Sequence, residues 1–232
     1  MATKPKTKTR RGPQARGLVR RQQLEAAAEK LMEVRDIDEI SLADIANEAD
    51  IPVASAYSFY NNVSDLFSNL LIKHTSLMFD AAVETVDPNE VNTWEAIVEQ
   101  VIDGIAAYLR GSRTVQQLRL SHKVLPEIRY ADDRPRGIDF AVRLRELIDE
   151  AYVLPQIAGG DRPIVIMLDI AEAVLVSEYL RSGGLPKGIG QEAKRAALAY
   201  LKLYVPEYLP RRDADGTQNL GDANVQAQRI KN

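Results

Sequence analysis

Apolar residues recur at helical spacing along almost the whole chain, and the strict alternation a half-buried strand requires is nearly absent. That pattern confines the chain to an all-α fold. The first stripe is Leu24, Ala27, Ala28 and Leu31, at i, i+3, i+4 and i+7 of a helix predicted from about Gly17 to Val34. Asp36 to Ile40 reads as a connector. Ser41 then stands as an N-cap, with Asp44 three residues on in the capping-box position. Leu42, Ile45, Ala46 and Ala49 give a short second helix with one buried face. Asp50-Ile51-Pro52 breaks it, and Pro52 suits the first turn of a third helix reaching about Phe59.

After Asn61-Asn62 a long fourth helix runs to about Val86. Beyond Asp87-Pro88, helices are predicted at 91–110, 112–124, 135–153, 161–182 and 189–205. Breaks fall at Gly111, Pro126, Pro155 with Gly159-Gly160, and Gly183 to Pro186. After Pro210 the sequence turns polar and aperiodic and is expected to be disordered. The division is a disordered basic arm over 1–16, a three-helix domain over 17–62, a larger helical domain over 63–209 and a tail over 210–232.

Charge is distributed unevenly between these parts. Residues 1–21 hold Lys4, Lys6, Lys8, Arg10, Arg11, Arg16, Arg20 and Arg21 with no acid, leaving 22 bases against 33 acids elsewhere. A basic arm on an acidic body suits a polyanion gripped at one end, although a solubilising tail has the same composition. The chain lacks cysteine, which excludes disulfides and thiolate chemistry. The longest apolar stretch, Ile164 to Val176, is interrupted by Asp169 and Glu172 and is too short to cross a bilayer. The basic N-terminus has no apolar run behind it, so it does not read as a signal peptide. A soluble, cytoplasmic protein with no membrane partner is expected.

Two short helices joined by a tight turn, the second opening at a proline, form a helix-turn-helix candidate. The residues narrow it further. Leu24-Glu25-Ala26-Ala27, then Ser41-Leu42-Ala43-Asp44-Ile45-Ala46, Ala49-Asp50-Ile51, Tyr57-Ser58-Phe59-Tyr60 and Asp65-Leu66 together resemble the DNA-binding domain of the TetR family of bacterial transcriptional regulators. The resemblance covers roughly residues 18–70. It implies a ligand-responsive repressor that binds a palindromic double-stranded DNA operator as a homodimer and is released by a small-molecule effector.

By the same resemblance the third helix enters the major groove with Val53, Ser55, Tyr57 and Ser58. Asn62 and the start of helix four offer backbone amides to a phosphate, and Ser41 does the same at helix two. The chain departs from the family in having Asp50 where glycine is usual, and Ala43, Val53 and Val63 where lysine or arginine is common. From Asp36 to Asp65 there is no base against seven acids. Since phosphate attraction supplies much of DNA affinity, Arg10, Arg11, Arg16 and Arg20 are assigned the compensating contacts, in an adjacent minor groove. For Phe59 and Tyr60 the reading is a small aromatic core.

Nothing points to catalysis. His74 and His122 are 48 residues apart, without the close spacing of a zinc site, and no phosphate-binding loop, dinucleotide turn or nucleophile elbow occurs. No cofactor and no metal are expected. The larger domain is richer in apolar residues than one buried face requires. Given the resemblance, Phe79, Trp94, Tyr108, Leu118, Phe140, Leu144, Met167 and Ile170 are candidates to line a ligand pocket, with Arg119, His122 and Tyr179 as polar anchors. Each of them also reads as plain core. Ala171, Leu175 and Glu178, with Ala193, Ala196, Ala197, Tyr200 and Tyr204, are the candidate two-fold interface on the last two helices. Two alternatives stay open: a helical ligand- or partner-binding protein without sequence-specific DNA binding, and a non-specific nucleoid binder acting through its arm.

Overall fold

The computed structural model describes residues 13–121 and 126–212, with side chains over 16–121 and 137–212. Among these residues are nine α-helices and one 3₁₀ turn, and no strand: α1 Pro13–Met32, the turn Ile37–Glu39, α2 Leu42–Glu48, α3 Val53–Ala56, α4 Val63–Glu84, α5 Trp94–Arg110, α6 Arg113–Leu120, α7 Pro126–Ala151, α8 Arg162–Ser182 and α9 Ile189–Leu201. The all-α expectation holds. Helix ends differ from it in several places: α1 begins four residues earlier, at a proline suited to a first turn, and α7 begins at Pro126, where the sequence predicts a break. α9 closes at Leu201, where tighter three-residue turn bonds from the Leu203 and Tyr204 amides take over from the helical ladder.

The chain divides into two units, Met1–Leu70 and Leu71–Asn232. The boundary lies inside α4, not before it at residue 62, so the first turns of α4 belong to the smaller unit. There α1 buries Leu24, Ala27, Ala28 and Met32 against Leu42, Ile45 and Ala46 of α2, with Leu66, Phe67 and Leu70 of α4 completing the core. Met32 takes the deep position that the periodicity assigns to Leu31, which is only half-buried.

The larger unit is built on α5, α8 and α9. α9 lies along α8 and also packs on α5. Trp94 is fully buried at the start of α5, and its indole Nε1 donates to the Pro206 carbonyl at 2.9 Å, so this large ring brings no unsatisfied polar group inside. Lys194 on α9 reaches Asp103 on α5 at 2.7 Å. Helix starts are capped by side chains: Thr93 Oγ1 accepts from the Ala96 amide and Ser112 Oγ from the Val115 amide. Gly183 closes α8 in the left-handed region at φ +74°, its amide bonded to the Tyr179 carbonyl.

The segment after α9 corrects the expected start of the tail. Pro210 to Arg212 pair with the end of α7: Val153 N–H donates to the Pro210 carbonyl and Arg212 N–H to the Ala151 carbonyl, at 2.8 and 2.9 Å. Arg212 also meets the Asp149 carboxylate at 2.7 Å. The rest of the predicted tail, 213–232, lies outside the described residues.

Gly104 is required where α5 crosses α4, because a Cβ there would come within 2.8 Å of the Ala82 Cα. Backbone cannot yield as a side chain can. Gly104→Ala is therefore expected to lower stability by about 1–3 kcal/mol despite the better helix propensity of alanine. A fall in the thermal midpoint checks this, and a rise would show that the helices separate freely.

Candidate nucleic-acid interface and ligand cavity

The turn between α2 and α3 sets the direction of the third helix. Ile51 N–H donates to the Ala46 carbonyl at 2.9 Å and Asp50 N–H to the Asn47 carbonyl at 3.1 Å. This is the Schellman pattern of a helix end, closed by an apolar residue, Ile51, that is buried. Asp50 holds the left-handed position at φ +53°, the one described non-glycine residue with a positive φ. Aspartate tolerates that region better than most side chains but not as well as glycine.

α3 is shorter than expected. Helical residues run only from Val53 to Ala56, and Tyr57 to Phe59 continue as turn. Ala56 is buried, while Ala54, Tyr57 and Ser58 face solvent and Val53 and Ser55 are half-buried. Tyr57 is 53% exposed. A large ring left in water at this place is free to meet a partner surface. Ser58 Oγ donates to the Ser55 carbonyl at 2.6 Å. Ala54 belongs to the outward face although only its neighbours stand out in the sequence.

Ser41 closes the capping box expected at the start of α2. Its Oγ accepts from the Asp44 amide at 3.1 Å and donates to the Asp44 carboxylate at 2.6 Å, and its own amide donates to the same carboxylate at 2.9 Å. These bonds from the Ser41 hydroxyl and amide hold the Asp44 carboxyl below its usual range. The start of α2 thus already holds an anion. Asn62 caps α4 instead, its Oδ1 accepting from the Asp65 amide at 2.9 Å. Asp65 in turn is held by the Asn61 side-chain amide at 2.9 Å.

One arginine of the basic N-terminal run is spent inside the unit. Arg21 Nε donates to the Tyr60 hydroxyl at 3.1 Å and Nη2 to Asn69 Oδ1 at 3.2 Å, with the guanidinium 5.1 Å from the centre of the Tyr60 ring. The Tyr60 hydroxyl donates to Glu25 at 2.9 Å. Burial pushes the Tyr60 hydroxyl up to about 12. So Tyr60 is core, as the sequence predicts, but a core residue with a polar anchor that joins α1 to the residues flanking α4. Arg16 and Arg20 are exposed on α1; Arg10 and Arg11 lie outside the described residues.

The larger unit holds a cavity of about 70 Å³ lined by α4, α5, α6, α7 and α8. Its wall is mostly apolar: Met78, Phe79, Ile102, Ile105, Leu109, Gly137, Val165, Leu168, Ala171 and Leu175. Arg119, Asp169 and Glu172 add charge. Of the expected pocket residues, Phe79 and Arg119 are on the wall. Phe140 backs it, stacked on Phe79 at 3.9 Å between ring centres. Trp94, Leu118, Leu144 and Met167 are buried elsewhere in the packing, and Ile170 and Tyr179 stand half-buried off the wall. Tyr108 is bonded to His74 Nδ1 at 3.0 Å and is not on the wall. His122 lies outside the described residues.

Four of the interface candidates are buried within the chain. Ala171 and Leu175 face the cavity, and Ala193 and Ala197 are buried where α9 packs within the same chain. Such side chains have no surface to offer a second copy. Glu178, Ala196 and Tyr200 are half-buried and Tyr204 is exposed, joined on these elements by exposed Leu180 and Leu203.

No protein-family model matches the sequence, and no curated protein matches it. Solved structures do match. A TetR transcriptional regulator from Rhodococcus sp. RHA1 aligns over 81% of this chain and 97% of its own, at 12% identity and a TM-score of 0.61. The fold is that of the TetR-family regulators. A TetR-family transcriptional regulator from Streptomyces coelicolor covers 80% of this chain and 99% of its own, at 17% identity and TM-score 0.58. The multidrug binding protein EbrR, complexed with imidazole, covers 78% and 94%, at 19% identity and TM-score 0.53. Each alignment runs nearly the full length of the matched chain and about four fifths of this one.

Two substitutions test this local account. Asp50→Gly is expected to raise stability by roughly 0.5–1 kcal/mol, because the left-handed turn then carries no side-chain cost. Tyr60→Phe is expected to lower it by about 0.5–1.5 kcal/mol by removing the hydroxyl that links Arg21 to Glu25, while Arg21 keeps its bond to Asn69. Urea unfolding of the full chain checks both signs; a destabilised Asp50→Gly variant would mean the aspartate carboxylate itself holds the turn.

Proposed function

We propose that the chain is a ligand-responsive DNA-binding transcriptional regulator, acting as a dimeric repressor in the cytoplasm. The observation that carries this reading is the exposed third helix: a Schellman turn fixes it, Ala56 and Ile51 anchor it, and Tyr57 and Ser58 are left facing solvent. A helix held so firmly while presenting an aromatic and a hydroxyl to water fits major-groove reading. The TetR fold supports it, and EbrR gives a neighbour of this fold that binds small molecules.

The face around α3 remains short of positive charge. Lys30 is taken by Glu48, and Arg35 is drawn to the Glu39 carbonyl. With Arg21 also engaged, exposed Arg16 and Arg20 and the bases ahead of them supply the positive charge that meets phosphate. Affinity is therefore assigned to the arm, and base discrimination to Ala54, Tyr57 and Ser58. Dimerisation is assigned to the outer faces of α8 and α9 and the turn that follows α9, through Leu180, Tyr200, Leu203 and Tyr204, which gives an isologous pair that spaces two third helices for one operator. The effector is assigned to the cavity lined by Phe79 and Arg119. The role is read as binding, with no catalytic step.

A salt titration on random-sequence duplex DNA tests the assignment of affinity. Deleting residues 1–16 is expected to lower affinity by orders of magnitude and to flatten the slope of log affinity against log salt, by about 0.9 for each phosphate the shortened chain no longer neutralises. Arg21→Ala is expected to lower the melting temperature while leaving that slope nearly unchanged. An unchanged slope after the deletion would move the phosphate contacts off the arm.

A further inference from the structure

Two sides of the cavity wall are held with unequal strength. On the α6–α8 side stands Arg119, buried, whose guanidinium donates to Thr75 Oγ1 on α4 and Glu172 Oε2 on α8, each at 2.8 Å. Parting these helices strands a buried charge, which is strongly unfavourable. Any further bond that Arg119 makes strengthens this side. The α4–α7 side is held differently. There Phe79 stacks on Phe140, with ring centres 3.9 Å apart and planes within 7° of parallel, and Asp80 pairs with Arg143 at 2.7 Å. Both members of that ion pair are almost half exposed, and such pairs contribute little. Of the two sides, the one between α4 and α7 opens more easily.

Phe79 belongs to two spaces at once. It lines the inner cavity, and with Ser76, Asp139, Phe140 and Arg143 it lines an outer groove of about 280 Å³. The inner space of about 70 Å³ is well short of the roughly 150 Å³ at which an engineered apolar cavity binds benzene. Turning the Phe79 ring into the groove adds the volume of that ring to the cavity. It also bares a face of Phe140, which is otherwise fully buried.

We infer that the cavity takes a small uncharged aromatic molecule, admitted between α4 and α7 by Phe79, whose place on Phe140 the ring of the guest then takes. This rests on the ligand-responsive reading above and names the guest class and the entrance of the same cavity. A flat ring refills the space a flat ring leaves and restores the stack. A saturated ring of the same size is too thick for a spacing of 3.9 Å. A charged guest loses its hydration to a wall that is mostly apolar. The filled and empty states differ at Phe79, on α4, the helix whose first turns belong to the smaller unit.

The test is fluorine NMR on the full chain without DNA, using fluorobenzene and, as the saturated ring of similar size, fluorocyclohexane. Fluorobenzene is expected to bind, and fluorocyclohexane roughly two- to tenfold more weakly. Phe79→Ala removes the ring that has to turn away and is expected to tighten fluorobenzene binding about tenfold. The entrance is tested by Asp80→Cys with Arg143→Cys, bridged by a short bismaleimide, since the chain has no cysteine of its own. Bridging is expected to slow exchange of fluorobenzene at least about tenfold relative to the unbridged double variant. Should Phe79→Ala fail to fold, the bridge and the two rings decide, because Asp80 and Arg143 are surface positions. No fluorobenzene binding, equal binding of the two rings, unchanged or weakened affinity in Phe79→Ala, or exchange unaffected by the bridge would each overturn the proposal. The ligand-responsive reading is judged apart from this, by whether bound fluorobenzene alters affinity for duplex DNA, so the two fail distinguishably.

Discussion

The closure of α2 at Asp50 fixes how the short third helix leaves the body of the small unit, and the outward placement of Tyr57 and Ser58 follows from it. Two backbone bonds and one buried isoleucine hold that angle. With so few residues in α2 and α3, neither helix would be stable in isolation. They persist because α1 and the first turns of α4 cover their inner faces. Arg21 and Tyr60 reinforce the arrangement with a cation over a ring and a hydroxyl shared with Glu25. A small core gains most from such a satisfied polar group, because apolar area alone gives it little margin.

That bracing has an electrostatic consequence. Cations of the small unit are spent on structure: Arg21 on Tyr60, Lys30 on Glu48, Arg35 on the loop. Acids are likewise spent, Asp44 on capping α2 and Asp65 on Asn61. Of the seven acids between Asp36 and Asp65, Glu48 is answered by Lys30, while Asp44 and Asp65 keep their charge on neutral donors. On the reading proposed above, α3, which carries no charged residue, supplies shape, and the bases of the N-terminal run supply attraction.

The sequence logic succeeds and fails at identifiable residues. The buried stripe of α1, the capping box at Ser41 and the turn at Asp50 are legible because each is decided within a few residues of chain. Arg21 reads as part of the arm because its partner, Tyr60, is 39 residues away. Ala193 and Ala197 read as an interface for a similar reason: small residues at helical spacing permit close approach, but the spacing does not say which helix approaches. Here it is α5 and α8 of the same chain. The cavity wall depends on five helices at once, so Phe79 and Arg119 stand out by type while Ile105, Val165 and Leu168 do not. Gly104 carries no signal at all, as its meaning lies in the Ala82 backbone across the crossing.

The central claim, that the exposed third helix reads DNA sequence, is tested most directly by selecting binding sites for the full chain from a pool of random duplexes. The account predicts enrichment of a palindrome, with half-sites about one helical turn apart and an A·T-rich flank where the arm lies. Equal, weak retention of all duplexes would contradict it and leave the arm as a charge-driven tether with no sequence to read.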